Sequence, residues 1–172
     1  MDFLTLAKER YSVRFYSGRS AEPEKLEKIL EAARVAPSAA NMQPVRLLVV
    51  QSMDGLSKVE KAANIYSAPA VIIVCADHAR AWTRSIDHKQ SCDVDAAIAA
   101  DHMMLEAASL GLGSVWIGAF NPDILREEFH IPDNLEPVSL LAIGYAAGSP
   151  ASPDRHGKAR IPMSEFVFYE NL

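Results

Sequence analysis

A mixed α+β domain is what this chain predicts, on three observations. Residues 23–36, PEKLEKILEAARVA, place Leu26, Ile29, Leu30 and Ala33 at the i, i+3, i+4, i+7 spacing of one helical face. Residues 70–76, AVIIVCA, form an unbroken apolar run rich in β-branched side chains, the pattern of a strand covered on both faces. Segments of these two kinds alternate along the chain with proline and glycine between them, and no repeat, low-complexity tract or linker divides them. The 172 residues fit a single domain, and a chain of this length buries about 70% of its unfolded surface without cross-links.

The elements follow in order. Residues 2–10, DFLTLAKER, predict a short helix with Phe3, Leu6 and Ala7 on one side. The helix over 23–36 stops at Pro37. VRLLVV, launched after Pro44, is a strand of about six residues, LSKVEKAA is a helix, and AVIIVCA is the buried strand. Residues 93–110 predict a long helix that is apolar around most of its circumference, with Asp95, His102, Glu106 and Ser109 on one narrow stripe. Such a helix fits the core of a monomer or the centre of a dimer, and the width of the apolar arc favours the dimer. Gly111 is placed to cap it in the left-handed conformation. SVWIGAF is a strand, and NPDILREEF a helix with Asn121 as N-cap and Pro122 in its first position. VSLLAIGYA is a further buried strand. A surface connection, AGSPASPDRHGKARIP, carries Arg155, Lys158 and Arg160, and the terminal EFVFYENL reads as a strand that needs a sheet edge to dock on.

Charge and cysteine usage exclude several classes. A net charge of −5 argues against a nucleic-acid binder and makes any anion site local. No run of about 20 apolar residues exists to span a membrane, and the N-terminus lacks the apolar region of a signal peptide. Cys75 lies in a core run and Cys92 at a helix start, without metal-ligand spacing, which points to a reducing, cytoplasmic setting. Hydrophobic residues make up 49% of the chain, enough to raise the prospect of surface buried between subunits.

Three stretches carry chemistry. In RYSVRFYS, an extended backbone puts Arg10, Ser12 and Arg14 on one face and Tyr11, Val13 and Phe15 on the other. Guanidinium forks and a hydroxyl suit a phosphate, and an ordinary half-buried strand with solvated arginines has the same pattern. In APSAANMQP, Ser38, Asn41 and Gln43 sit between a helix stop and Pro44. Asn and Gln offer a donor and an acceptor to the amide-like edge of a heterocycle, and a polar turn with Asn41 bonded to its own backbone accounts for them equally. GLGSVWIGAF has two glycines at dinucleotide-loop spacing, but Trp116 stands where the third belongs and a helix precedes the glycines, so a Rossmann site is rejected. Gly118 could instead let backbone approach a flat ligand. There is no Walker A loop, HExxH or nucleophile elbow, and the five histidines are scattered, His102 reading as an interior side chain.

Taken in order, RYSVRFY, APSAANMQP, SAPAVIIV, LGLGSVWIGAF and a late KAR resemble the nitroreductase family of flavin enzymes, across residues 3–166. The resemblance implies a three-layer α+β fold, a mixed central sheet flanked by helices, built as an intertwined homodimer with two FMN sites between subunits. The C-terminal arm, about residues 150–172, would pack on the partner. Arg10, Ser12 and Arg14, with Tyr11 and helped by Lys158 or Arg160, would hold the phosphate and ribityl end of FMN. Pro37, Ser38, Ala39, Asn41 and Gln43 would come from the other subunit. Backbone near Gly118 and Ala119 would face the flavin, Trp116 and Ile117 would wall that side, and Asn64 would meet its edge. The implied activity takes hydride from NADH or NADPH to flavin N5 and on to a nitroaromatic, quinone or similar small-molecule acceptor in a ping-pong cycle. No dedicated catalytic side chain is required. Dehydrogenation, dehalogenation, flavin breakdown, flavin storage without turnover and an anion-binding structural domain with no flavin are the alternatives. Residues 77–93, DHARAWTRSIDHKQSCD, fall where the family varies, and Trp82, Arg84 and His88 are candidates to meet substrate if this segment is a lid and not a plain connection.

Overall fold

The computed structural model describes residues 2–172. Its helices are α1 (Phe3–Glu9), α2 (Pro23–Val35), α3 (Met53–Ala62), α4 (Cys92–Ser109), α5 (Pro122–Phe129), α6 (His156–Ala159) and α7 (Met163–Phe166). The strands are β1 (Val45–Val50), β2 (Ala70–Asp77), β3 (Gly113–Ile117) and β4 (Leu135–Gly144), hydrogen-bonded in the order β1-β2-β4-β3. Local chemistry sets several boundaries. The Asp2 carboxylate accepts from Thr5 N at 3.1 Å, Ser52 Oγ accepts from Gly55 N at 3.1 Å, and Asn121 Oδ1 accepts from Asp123 N at 3.0 Å. Each such cap contributes about 1 kcal/mol. Gly111 has φ 74°, the left-handed turn that ends α4.

The alternation of side chains along the strands builds three layers. Val71, Ile73, Cys75, Leu140, Ala142, Val115 and Ile117 face α3 and α5, where Val59 and Leu125 are fully buried. Ile72, Val74, Leu141 and Ile143 face α2 and α4, meeting Leu26, Ile29, Ala96, Ala100, Met103 and Ala107. Every residue of β2 is buried, which is why its sequence is apolar without alternation. Burial also pushes the Cys75 thiol up to about 11, so it stays a neutral core group.

Several expectations need correction. The strand pairs are all antiparallel, and among the described residues the parallel element is the isolated bridge between Ser12 and Ser114. SVWIGAF is strand only to Ile117. The terminal EFVFYENL is not a strand: the short α7 starts it, it pairs with no strand of this protomer, and Phe166, Phe168, Tyr169 and Leu172 are exposed. The polar stripe on α4 does not share one environment. Asp95 is 2% exposed, while His102 of the same stripe lies on the open side with Asp93, Val94, Ala97, Ile98 and Asp101, and Ser109 is exposed. Among the described residues, no helix is long and apolar enough to cross a membrane.

Candidate functional site

Residues 10–14 leave α1 in extended form and lie along β3. Val13 N donates to Ser114 O at 2.9 Å, and the Val13 side chain, 3% exposed, packs on Gly113, where an added Cβ would come within 2.5 Å of it. Ser12 and Arg14 are exposed and Arg10 half-buried. The predicted alternation holds through Val13 and then fails. Phe15 is exposed and Tyr16 turns inward, its hydroxyl donating to Ala142 O at 3.2 Å and its burial pushing the phenol pKa up. The backbone here steps from the edge of β3 to the end of β4, pairing Tyr16 with Ala146, so the two-residue rhythm breaks. Among the described residues the Arg10 and Ser12 side chains have no hydrogen-bond or ion-pair partner, and Arg14 only approaches the Tyr66 ring, 6.0 Å from its centroid.

A residue not predicted for the site fixes this segment. Arg155 Nη2 donates to Arg10 O at 2.6 Å and its Nη1 to Lys8 O at 3.1 Å, while His156 Nε2 donates to Lys8 O at 3.1 Å. The Pro153–Arg155 turn and α6 are thereby docked on the end of α1, and Lys158 and Arg160 follow in the same neighbourhood. Arg10 and Arg14 thus share this end of the molecule with Arg155, and Lys158 and Arg160 follow it within five residues in sequence. Charge-assisted bonds from such groups to an anion contribute roughly 1.5–3 kcal/mol each.

The 38–43 loop is built differently. Ser38 Oγ accepts from Gln43 N at 2.9 Å, Ala39 N donates to Asp95 Oδ1 at 2.9 Å, and Gln43 Nε2 donates to Asn41 O at 3.1 Å. Ala40, Asn41 and Gln43 have φ of 48°, 55° and 51°. Left-handed backbone at non-glycine residues costs roughly 1–2 kcal/mol each, so the loop holds its shape against strain. Pro37, Ser38 and Gln43 line a cavity of about 210 Å³ with Arg34, Arg46 and Asp95.

At the exit of β3, Gly118 and Ala119 are exposed, and a Cβ at Gly118 would meet nothing within 4 Å, leaving free space beside the backbone. Trp116 and Ile117 do not wall one side together, since strand alternation sends Trp116 to the α2/α4 layer and Ile117 to the α3/α5 layer. Asn64 is exposed, and its Oδ1 accepts from Tyr66 N at 2.9 Å. Asn121 N bonds Ala62 O, so the Asn64 turn adjoins the end of β3.

The two halves of the predicted site are far apart in one protomer. Residues 10–14 meet the C-terminal end of α4 near Ala108, and the 38–43 loop meets its N-terminal end at Asp95. Thirteen helical residues between those points span about 20 Å. The halves also flank opposite edges of the sheet, β3 and β1.

Residues 78–91 fold back on themselves, closed by the bridge of Thr83 with Gln90 and by Ser91 N donating to Trp82 O at 3.0 Å. Trp82, Arg84, Lys89 and Gln90 line a cavity of about 240 Å³ together with Ala39. Arg84 is committed to Asp87 at 2.7 Å, and His88 has φ 58° at the tip. At the base, His78 Nδ1 lies 2.7 Å from Gln90 Oε1 and Nε2 2.5 Å from Glu136 Oε2, with Cys92 Sγ 3.5 Å from Nδ1, so the protonated ring donates to both oxygens. Gln90 Nε2 donates to His78 O at 3.1 Å, which fixes the amide orientation. Both ring nitrogens therefore face acceptors, and the Gln90 and Glu136 bonds hold the His78 pKa above the ordinary histidine value.

With this geometry in place, known proteins are informative. The Nitroreductase family model matches residues 7–66 and 55–145. A solved nitroreductase family protein from Clostridium difficile 630 is similar at TM-score 0.98 and 56% identity, covering 100% of both chains. A nitroreductase from Exiguobacterium sibiricum, solved in complex with FMN, superimposes at TM-score 0.83 with 25% identity, over 99% of this chain and 98% of that one. The FMN reductase [NAD(P)H] of Bacillus subtilis is 34% identical over 163 residues, 84% of this chain and 66% of that protein. Sequence family, fold and the order of the motifs agree, and the chain belongs to the nitroreductase family.

Proposed function

We propose that the protein is an FMN-dependent oxidoreductase that uses NADH or NADPH to reduce a small conjugated acceptor such as a nitroaromatic or a quinone. The observation that carries the reading is the uncommitted polar face of residues 10–14, whose Arg10 and Ser12 side chains have no partner among the described residues. That donor set, with Lys158 and Arg160 nearby, fits the phosphate of FMN. Free space beside Gly118 fits a flat ring laid against backbone, about 13 Å along β3 from Ser114. When bound, FMN supplies two-electron chemistry, taking hydride at N5 and returning it to an acceptor.

The chain's own part is to bind, orient and shield. Arg10, Ser12 and Arg14 fix the anionic tail, and the backbone at Gly118 and Ala119 supports the ring. Asn64 and the amides of Asn41 and Gln43 are suited to the polar edge. In one protomer the 38–43 loop lies too far from residues 10–14 to join them, and a second copy would bring its own loop to the site. The open apolar side of α4 and the exposed Ile161, Met163, Phe166 and Phe168 of the C-terminal arm favour such a homodimer, each arm lying on the partner and the 172 residues acting as one domain. Donor and acceptor would use the same open face in turn, which gives ping-pong kinetics.

The test is the spectrum of the purified protein, followed by anaerobic titration with NADH and NADPH and by mass in solution. Flavin absorbance retained after desalting and bleached by either nucleotide is the expected result. A protein that stays colourless after FMN addition overturns the reading, bound flavin that resists bleaching marks a store without turnover, and a monomeric mass removes the intersubunit site.

A further inference from the structure

We infer that Asp95 is a positioning residue: its buried carboxylate holds the 38–43 loop in the shape that meets the flavin and ties that loop to the 78–91 fold-back. The inference rests on the assignment of the loop to the cofactor.

Asp95 stands in the first turn of α4, where an otherwise apolar helix enters the core, and it is 2% exposed. Both carboxylate oxygens are engaged. Oδ1 accepts from Ala39 N at 2.9 Å and Oδ2 from Ser91 Oγ at 2.7 Å. Among the described residues no cation pairs with it. Arg34 and Arg46 line the same cavity, but Arg34 is held by Glu31 and Arg46 donates to Gln43 O and Val45 O. The positive end of α4 offsets the charge in place of a counter-ion. A buried carboxylate is costly unless its oxygens are satisfied, and here one is spent on the 38–43 loop and the other on Ser91, the N-cap of α4 at which the fold-back ends.

What it holds is a strained loop, whose own bonds from Gln43 N to Ser38 Oγ and from Asn41 N to Ser38 O brace it without tying it to the rest of the fold. Immediately after Ala39 come Ala40, Asn41 and Gln43 with left-handed φ. Freed from Asp95, the backbone at Ala39 could relax toward ordinary φ values, swinging Asn41 and Gln43 away. Ser91 carries the second link, because its N–H closes the fold-back on Trp82 O while its hydroxyl bonds Asp95. One carboxylate thus sets the spacing of both walls of the cavity between Ala39 and Trp82.

The test compares Asp95→Ala, Asp95→Asn and Asp95→Ala/Ala40→Gly in the full-length protein. Readouts are hydrogen exchange of residues 38–43 without FMN, the FMN dissociation constant, and turnover at saturating FMN. Asp95→Ala should speed exchange in the loop and weaken FMN about tenfold or more, equivalent to about 1.4 kcal/mol. Turnover should recover once FMN is saturating. Asp95→Asn, whose amide can still accept from Ala39 N and donate to Ser91 Oγ, should stay within about threefold. Ala40→Gly, which removes one strained position, should restore part of the loss. A loosened loop with unchanged FMN affinity in Asp95→Ala overturns the inference, as does unchanged exchange. If Asp95→Ala does not fold, Ser91→Ala decides, with faster loop exchange and weaker FMN expected and no change in either refuting. A wild-type protein that binds no FMN would instead refute the function from which this follows.

Discussion

Gly113 is where the anchoring of residues 10–14 can be tested most directly. A Cβ added there would lie 2.5 Å from Val13 Cγ2, 3.0 Å from Val13 Cβ and 3.1 Å from Val13 Cγ1. Rotating χ1 of Val13 moves the two methyls but not its Cβ, so Gly113→Ala must displace backbone. The backbone in question carries the Val13 N–H···O=C Ser114 bond of 2.9 Å. Two estimates bound the cost. Overpacking of a tight core contact costs about 1–3 kcal/mol. Escape by detaching the segment gives up burial of a valine, about 1.5 kcal/mol, and one hydrogen bond, about 1 kcal/mol. Both routes put the loss near 2 kcal/mol, or a fall in Tm of about 4–8 °C for a chain of this size.

The assay is thermal unfolding at a single protein concentration, with FMN affinity measured alongside. Gly113→Ala should lose stability and also weaken FMN, since Arg10, Ser12 and Arg14 move with Val13. Val13→Ala removes the two methyls and should partly relieve the clash, so the double variant should be less destabilised than the sum of the singles, by about 1 kcal/mol. Gly118→Ala is the contrast. Its Cβ meets nothing within 4 Å, so stability should hold within about 0.5 kcal/mol while flavin affinity falls. A Gly113→Ala protein as stable as wild type, or singles that add in the double, would refute the close-approach reasoning.

Three further outcomes follow from contacts on the same page. His78 has a raised folded pKa, so the stability it contributes is complete below the ordinary histidine pKa of about 6.5 and is lost as pH rises through the folded value. Proteolysis of residues 79–91 should therefore accelerate from about pH 6 to pH 8, and His78→Gln should flatten that dependence; a wild-type rate independent of pH counts against the clasp. Gln90, Cys92, Asp93 and Glu136 face the ring, and a Glu136→Gln variant should show a smaller pH effect than wild type. Arg155→Ala frees the carbonyls of Lys8 and Arg10 and should weaken FMN about tenfold without moving Tm by more than a few degrees, read by fluorescence titration. Arg14→Ala should weaken FMN more than Arg34→Ala, since the Arg34 side chain is 72% exposed and bonded to Glu31 on its own helix; equal losses would remove Arg14 from the site.

What the chain discloses before folding depends on how local the cause is. β2 was legible because complete burial leaves a residue pattern with no polar positions, and α5 because Asn121 and Pro122 act within one helical turn. The arm at 165–172 misled because its alternation satisfies a strand internally, whereas a strand exists only when paired along an edge, and within this protomer the arm pairs with none. Asp95 was legible as polar but not as buried. Its partners, Ala39 and Ser91, hold it on the dry side of α4, while Ser109 of the same stripe is exposed.

The same divide runs through the candidate site. Arg10, Ser12 and Arg14 lie within five residues and could be found by their spacing, as could Ser38, Asn41 and Gln43. The groups that hold those stretches in place could not: Arg155 reaches Arg10 across 145 residues and Asp95 reaches Ala39 across 56. Neither carries a motif, because a backbone carbonyl or N–H can be bonded by any suitable donor or acceptor that the fold brings near. Gly113 is similar, its need set by Val13 a hundred positions earlier. Ligand-facing side chains are therefore readable from short patterns, while the residues that give them a fixed geometry are readable only from the fold. Substitutions at Asp95, Gly113 and Arg155 should for that reason change flavin affinity through positions that no ligand-contact argument would select.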